Sequence, residues 1–533
     1  MRARPNVVLI LADDLGFSDI GSYGGEISTP HLDRLAAEGA RLTQFYNTAR
    51  CSPSRASLLT GLHPHQTGIG ILTGSDGEVG YPGDLSDRAA TVAEILRDAG
   101  YATGITGKWH LSSDIIEPNH SWPTRRGFDE FFGTLAGCGS YYNPGTLTSG
   151  EGPADDAIED DEFYYTDAIV DRAVDFIHRR SDAPDGFLLY VPFTAPHWPL
   201  HAPEEAVERY RHRFDSGWDR LRAERLERQR ELGIVAADTV LSPRDPGEPA
   251  WDAVDDPGWQ ARRMEVYAAQ VELMDAGVGR ILAALDEQGV ADDTIVIFLS
   301  DNGASPEEIP HIPDFRDHLE FFTPTTRAGG AVALGNEPAI IPGPEDTYSS
   351  YGRPWANLSN TPFRLYKKWI HEGGIAAPFI VRWTAGGVAP GSIIRSAHQL
   401  THVLPTILEA TGVPHPDTVG GRPVLPLEGP SFLQELRGGT FDDDGLLFWE
   451  HCGNAAVRRG DWKLVRRFQL PWELYDLSSD PVELHDVVVE HRELAEELYL
   501  QWAAWADRVG VQPFERIVDL YELRGVGESG AAR

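Results

Sequence analysis

Four short apolar segments each end in residues that can hold a charge or move a proton. Val7–Leu11 runs into Asp13-Asp14, Ala102–Thr106 into Lys108-Trp109-His110, Phe187–Phe193 into Pro196-His197, and Thr294–Ser300 into Asp301-Asn302. An aspartate after a strand is usually a helix cap or a turn residue. Four segments delivering such groups to one edge are a different matter, because open α/β sheets bind ligands beyond the carboxyl ends of their strands. Asp13, Asp14, Asp301 and Asn302 are all oxygen donors. Three carboxylates at one place repel one another unless a cation joins them, and a hard divalent ion takes oxygen ligands. Lys108, His110, His197 and Arg55 add positive or potentially positive groups. A metal beside several cations is a site for a tetrahedral oxyanion, such as a sulfate or phosphate ester, with a histidine to protonate the leaving oxygen.

These residues need a sheet to carry them. The four segments and Phe379–Trp383 are short, apolar or β-branched, and bounded by Gly, Pro or Asp, as buried strands are. Helical patterns over Pro30–Glu38, Ala89–Ala99, Tyr165–Arg179 and Met264–Gln288 separate them. Alternation of this kind predicts an α/β domain with a large, mixed, mostly parallel sheet flanked by helices. Residues 204–232 are dense in Arg and Glu and read as a solvated helix. Residues 303–362 are rich in Pro and Gly and read as a lid or substrate loop. After about residue 440 the pattern changes to short antiparallel strands followed by an amphipathic helix at Arg492–Val509. The expected division is a catalytic domain over 1–440 and a small C-terminal α+β domain over 441–533. No internal repeat is visible.

The bulk composition excludes several function classes. At 533 residues and 41% hydrophobic, the chain has ample material for a core plus a smaller unit. A formal net charge of −36 disfavours nucleic-acid and anionic-membrane partners. The apolar run after Met1-Arg2-Ala3-Arg4-Pro5 is about six residues, shorter than the roughly 7–15 of a signal-peptide core. No run approaches the roughly 20 residues of a membrane span. Cys51, Cys138 and Cys452 are odd in number and far apart, so no disulfide framework is expected. Together these features predict a cytoplasmic protein in a reducing compartment. Of the 46 basic residues only four are lysines: Lys108, Lys367, Lys368 and Lys463. A lysine that survives such a bias can mark a place where arginine's planar fork does not fit.

The stretch "CSPSRASLLTG" at residues 51–61 closely resembles the signature of the sulfatase family. "NVVLILADDLG" at the start, "TGKWHL" at 106–111, "APHWPL" at 195–200, "SDNGA" at 300–304 and "YKKWIHEGG" at 366–374 match the family in its order, as do "RRGDWKLV" and "WELYDLSSDP" near the end. The resemblance spans nearly the whole chain and is greatest to single-chain bacterial arylsulfatases. It implies an alkaline-phosphatase-like fold. It also implies that Cys51 is oxidised to Cα-formylglycine by a separate maturation enzyme that reads C-x-P-x-R. The hydrated aldehyde then attacks sulfur with one hydroxyl and expels sulfate with the other.

The resemblance also assigns roles. Asp13, Asp14, Asp301, Asn302 and an oxygen of modified Cys51 would ligate one divalent cation, Ca²⁺ first and Mg²⁺ second. Arg55 and Lys108 would hold the diol, His110 would assist sulfate elimination, His197 would protonate the leaving oxygen, and Lys367 would grip the sulfate. The family's lysine lies five residues before the Glu of "EGG", here Glu372, which selects Lys367 over Lys368. The implied substrate is a small sulfate ester. A phosphonate monoester hydrolase or phosphodiesterase of the same superfamily is the second reading, although the Asp13-Asp14-Leu-Gly sequence and "TGKWH" favour the sulfatase branch. An unmodified Cys-His hydrolase leaves the carboxylates and lysines without a purpose, and an inactive homologue is expected to have lost some motifs. Tyr141, Tyr142, Trp198, Phe321, Phe322, Tyr351 and Trp355 are candidates for an apolar wall around the leaving group.

Overall fold

The computed structural model describes residues 4–160, 162–309, 325–441 and 445–519. Its centre is one large mixed sheet. Strands β1 (Asn6–Ala12), β2 (Ala40–Tyr46), β3 (Ala102–Thr106), β4 (Glu130–Thr134), β5 (Phe187–Pro192), β6 (Thr294–Ser300) and β7 (Ala376–Arg382) lie in the order β2-β7-β6-β1-β5-β3-β4. Short strands extend both edges. The run β6-β1-β5-β3-β4 is parallel, and β7 is antiparallel to both β6 and β2. This is the mixed, mostly parallel sheet that the sequence predicts.

Both faces of the sheet are covered, which is why its strands read as unbroken apolar runs. Along β1, Val8 and Ile10 join one apolar cluster while Val7, Leu9 and Leu11 join the other, the alternation that a pleated strand imposes. Helices α1 (Pro30–Glu38), α4 (Tyr165–Arg180) and α6 (Pro257–Glu287) supply the first cluster. Helices α2 (Cys51–Thr60), α3 (Val92–Asp98) and α8 (Val403–Thr411) supply the second. Helix α3 is shorter than the predicted Ala89–Ala99 because Thr91 caps it, accepting from the Glu94 amide at 3.0 Å. Helix α6 starts earlier than its pattern suggested, with Pro257 in its first turn, where a missing N–H costs nothing.

A four-stranded antiparallel sheet follows: β8 (Leu446–His451), β9 (Asn454–Arg459), β10 (Trp462–Arg466) and β11 (Glu473–Asp476). Helix α9 (Arg492–Val509) packs against it through residues such as Leu498. Lys463 is fully buried here and joins Glu372 (2.7 Å) to Glu483 (2.9 Å), tying this sheet to the start of β7.

Two expectations fail. The Arg/Glu-dense stretch is not a solvated helix throughout. Helix α5 (Gly217–Glu231) buries Trp218, Leu221 and Leu226 together with Arg222 and Arg225. Arg225 pairs with Asp19 and Glu26 at 2.7 Å each, and Tyr267 donates to Asp19 at 2.7 Å. The arginine therefore neutralises two buried carboxylates, a role that composition conceals. Arg225→Ala is expected to destabilise the fold by about 3–5 kcal/mol, the cost of leaving buried charge uncompensated; chemical denaturation of the variant checks this. Tyr351 and Trp355 are not a wall around a ligand either. Trp355 is fully buried against Phe214, Trp218 and Trp251, and Tyr351 stacks on Tyr267. Both are core residues around α7 (Gly352–Ser359). Phe321 and Phe322, with part of the 303–362 loop, lie outside the described residues.

Candidate active site

The parallel strands end together, and their register brings the polar groups into contact. Ala12 of β1 pairs with Ser300 of β6, so Asp13 and Asp301 leave the sheet side by side, and the Asp301 amide donates to Ala12 O at 3.1 Å. The Asp13 amide donates to Ala195 O and the Lys108 amide to Pro192 O, which fixes the segments after β5 and β3 against the same edge. Gly107 precedes Lys108 at φ 130°, and a Cβ there would lie 2.0 Å from Pro192 O. Only glycine allows β3 to turn its lysine into the cleft so close to β5.

Cys51 is the first residue of α2. Pro53 is tolerated in the first turn, and the Ser54 amide makes the helical bond to Arg50 O at 3.0 Å. Every residue of α2 is buried. The Cys51 side chain therefore sits where free amides and the helix dipole favour an anion.

Arg55, one turn along, donates Nε and Nη2 to Asp301 Oδ2 at 3.1 and 2.8 Å and lies 3.5 Å from Asp13 Oδ2. Lys108 Nζ donates to Asp13 Oδ2 at 2.5 Å. Despite the bidentate arginine, the Asp301 carboxyl is raised to about 7: burial pushes it up, Asp13 adds repulsion, and Arg55 and Lys108 offset them only in part. Asp14, with φ 65°, accepts from Asn302 Nδ2 at 2.5 Å and from Lys367 Nζ at 2.9 Å. Burial acts to raise its carboxyl, but Lys367 and His197 outweigh that and hold it below its usual value.

His197 lies between residues joined by cis peptides, Ala195–Pro196 and Trp198–Pro199. Its Nδ1 is 2.7 Å from Trp198 O. A carbonyl only accepts, so Nδ1 carries the proton and the neutral ring presents a bare Nε2. That Nε2 is 3.4 Å from Lys367 Nζ and 3.3 Å from Asp14 Oδ2. Burial, more than any neighbouring charge, holds His197 down to about 4. His110, with φ 55°, contacts Ser52 Oγ through Nε2 at 3.2 Å, beside Cys51. Burial first, then Lys108 and Arg55, keep it neutral. A Cβ on Gly137 would lie 2.5 Å from His110 Cε1. Gly137→Ala is expected to displace that ring and lower turnover by about 10–100-fold, the cost of a misplacement near 1 Å, while the melting temperature stays close to wild type; steady-state kinetics beside thermal denaturation checks both.

All ten residues expected at the site, Asp13, Asp14, Cys51, Arg55, Lys108, His110, His197, Asp301, Asn302 and Lys367, are brought to one edge of the sheet. Sequence reasoning missed Glu307. Its carboxylate accepts from Trp198 Nε1 (2.8 Å) and Arg50 (3.0 Å) and lies 3.4 Å from Lys367 Nζ. Lys367 and Arg50 hold it ionised against its burial. It thereby links the residue before Cys51, the residue after His197, and the lysine. Nothing in "SPEE" separates Glu307 from Glu308, which turns away to Arg263 at 3.0 Å. Trp198 is consequently an anchored neighbour of the cleft. Tyr141 is buried and donates to Thr194 O and His197 O, so it supports the loop and forms no wall; Tyr142 stays half-buried beside Arg327.

The donor set suits a hard cation. Asp13 Oδ1 and Asn302 Oδ1 are buried with no hydrogen-bond partner among the described residues, as oxygens reserved for an ion are. Asp13, Asp14 and His197 also offer ligand atoms within 4.8 Å of one another. His197 Nε2 faces the Lys367 ammonium at 3.4 Å, and a hard cation takes oxygen ligands.

Residues 5–413 match the family model for sulfatases, and residues 363–504 match the model described as the C-terminal region of N-sulphoglucosamine sulphohydrolase. The chain is 36% identical over 542 residues to an uncharacterized sulfatase of Schizosaccharomyces pombe, covering 95% of this chain and 94% of that protein. It is 33% identical over 442 residues to an arylsulfatase of Klebsiella aerogenes, covering 80% and 91% respectively. The fold is similar to the crystal structure of PsFucS1 sulfatase from Pseudoalteromonas sp., at 20% identity and a TM-score of 0.61 over 96% of this chain and 92% of that one.

Proposed function

The chain belongs to the sulfatase family, and on that premise we propose that it hydrolyses a small, arylsulfatase-type sulfate monoester with a formylglycine made from Cys51. One observation carries this reading: Cys51 opens a buried helix at the strand ends, on the edge where Arg55, Lys108, His110, His197 and Lys367 also come together. The hydrated formylglycine would supply the nucleophile and the means of releasing sulfate. A divalent cation, Ca²⁺ before Mg²⁺, would be held by Asp13, Asp14, Asp301, Asn302 and an oxygen of residue 51, and would polarise the ester oxygens.

The remaining chemistry belongs to side chains. The amides of the first turn of α2 favour negative charge at residue 51, worth about 0.3–1 kcal/mol and up to ~2 when partly buried. Lys108 and Arg55 hold the Asp13 and Asp301 carboxylates in place and offset charge that develops beside residue 51. Lys367 places its ammonium where the sulfate oxygens come to lie. With its bare Nε2 facing Lys367 Nζ, His197 accepts from that ammonium, and this pair holds the proton for the leaving oxygen. His110, hydrogen-bonded to Ser52, stands as the neutral base beside residue 51 for the second half of the cycle.

Cys51 to Arg55 are buried, so the maturation enzyme that reads Cys51-x-Pro53-x-Arg55 would have to act before α2 packs. Among the described residues no helix is long and apolar enough to cross a membrane. Cysteine usage supports a cytoplasmic location. Removal of the cation tests the ligand set. After exhaustive chelation the protein is expected to lose hydrolysis of p-nitrophenyl sulfate and to regain it on adding Ca²⁺, with Mg²⁺ less effective; full activity in protein shown by elemental analysis to be metal-free contradicts it.

A further inference from the structure

Where α7 and the 243–247 loop face the C-terminal sheet lies a cavity of about 690 Å³, the size of a pocket for a drug-sized ligand. None of the ten residues at the strand ends lines it. Its carboxylates are already committed. Asp245 accepts from Tyr366 at 2.9 Å. Glu473 accepts from Arg364, His371 and Tyr475 at 2.9–3.2 Å. Glu483 pairs with Lys463 at 2.9 Å and accepts from the Glu372 amide at 2.9 Å.

Its cations are not all committed. Arg244 pairs with Asp219 at 2.6 Å, but the one ion pair of Arg353 among the described residues is with Glu248, at 3.6 Å. Arg467 has no side-chain hydrogen bond or ion pair among the described residues, and its buried Nε has no partner. Asn357 is 2% exposed on the same wall, and its Oδ1 has no partner either. Trp369 and Tyr475 supply flat apolar surface. In a chain of net charge −36, a cavity whose spare charge is positive selects anions, and arginine's fork suits the planar or tetrahedral oxygens of carboxylate and sulfur or phosphorus oxyanions.

We infer that this cavity is a second ligand site, which takes an organic anion carried on a flat ring with a hydroxyl or amine donor. The anion would meet Arg467 and Arg353, the ring would meet Trp369, and the donor would meet Asn357 Oδ1. This site does not depend on the catalytic reading, because its occupation is measured without turnover.

The test is calorimetric titration of the full chain with 6-hydroxynaphthalene-2-sulfonate, whose carbon–sulfur bond is not an ester. A Lys367→Ala background removes the catalytic lysine as a competing anchor. One-to-one saturable binding is expected, weakened at least about tenfold, the loss of one charge-assisted contact, in both Arg467→Glu and Arg353→Glu. Arg467→Gln, which keeps the side chain's bulk, is expected to show the same loss at an unchanged melting temperature. No saturable binding, or affinity in the arginine variants equal to that of the Lys367→Ala chain with both arginines in place, overturns the proposal.

Discussion

Cys51→Ala is expected to abolish sulfate ester hydrolysis, with a loss of about 10⁴-fold or more, as removing a covalent nucleophile does. The substitution trims only the end of one side chain at the head of a helix that is buried throughout, so the fold is expected to survive with a stability change of about 1–2 kcal/mol. That separation gives the experiment its force. Turnover of p-nitrophenyl sulfate and thermal denaturation are measured on the same sample. A folded variant at background activity fits the covalent mechanism. A folded variant within about tenfold of wild type removes residue 51 from the chemistry.

Lys367→Arg is expected to lose nearly as much as Lys367→Ala, about 10²–10³-fold in kcat/KM, the range for a charge-stabilising donor. The charge is kept, so the loss must come from shape. Three partners converge on the single Nζ atom: Asp14 Oδ2 at 2.9 Å, with His197 Nε2 and Glu307 Oε2 each at 3.4 Å. A guanidinium spreads its donors over a plane, and the site is closed, with Lys367 only 2% exposed. Forcing the larger group in costs about 1–3 kcal/mol of overpacking and separates the His197–Lys367 proton pair. Steady-state kinetics on both variants checks this; an arginine variant within about threefold of wild type shows that charge alone matters at this position.

The lysine argument also shows what the sequence can carry. Three of the four lysines are buried: Lys108 and Lys367 at the strand ends, and Lys463 between two glutamates of the C-terminal junction. The composition bias marks positions where a compact ammonium is needed, but it does not separate a catalytic place from a structural one. The strand ends were legible because parallel strands buried on both faces leave long apolar runs that stop abruptly at charged residues. Their convergence follows from the register of β1 with β6 and β5.

What was not legible depends on pairing in space. Arg225 sits in a stretch so rich in Arg and Glu that it resembles solvated surface, yet its partners are Asp19 and Glu26, about 200 residues earlier. Trp355 sits in a Pro- and Gly-rich region that reads as loop, yet three aromatic rings enclose it. Glu307 carries no local signature; only its convergence with Arg50, Trp198 and Lys367 reveals it.

The most direct test of the account is the mass of the tryptic peptide Cys51–Arg55 from protein purified from its natural host and shown to be active. The expected mass is lower than that of the cysteine peptide by the difference between CH₂SH and CHO, and the peptide should form a hydrazone with an aldehyde reagent. An unmodified cysteine in fully active protein contradicts the formylglycine mechanism.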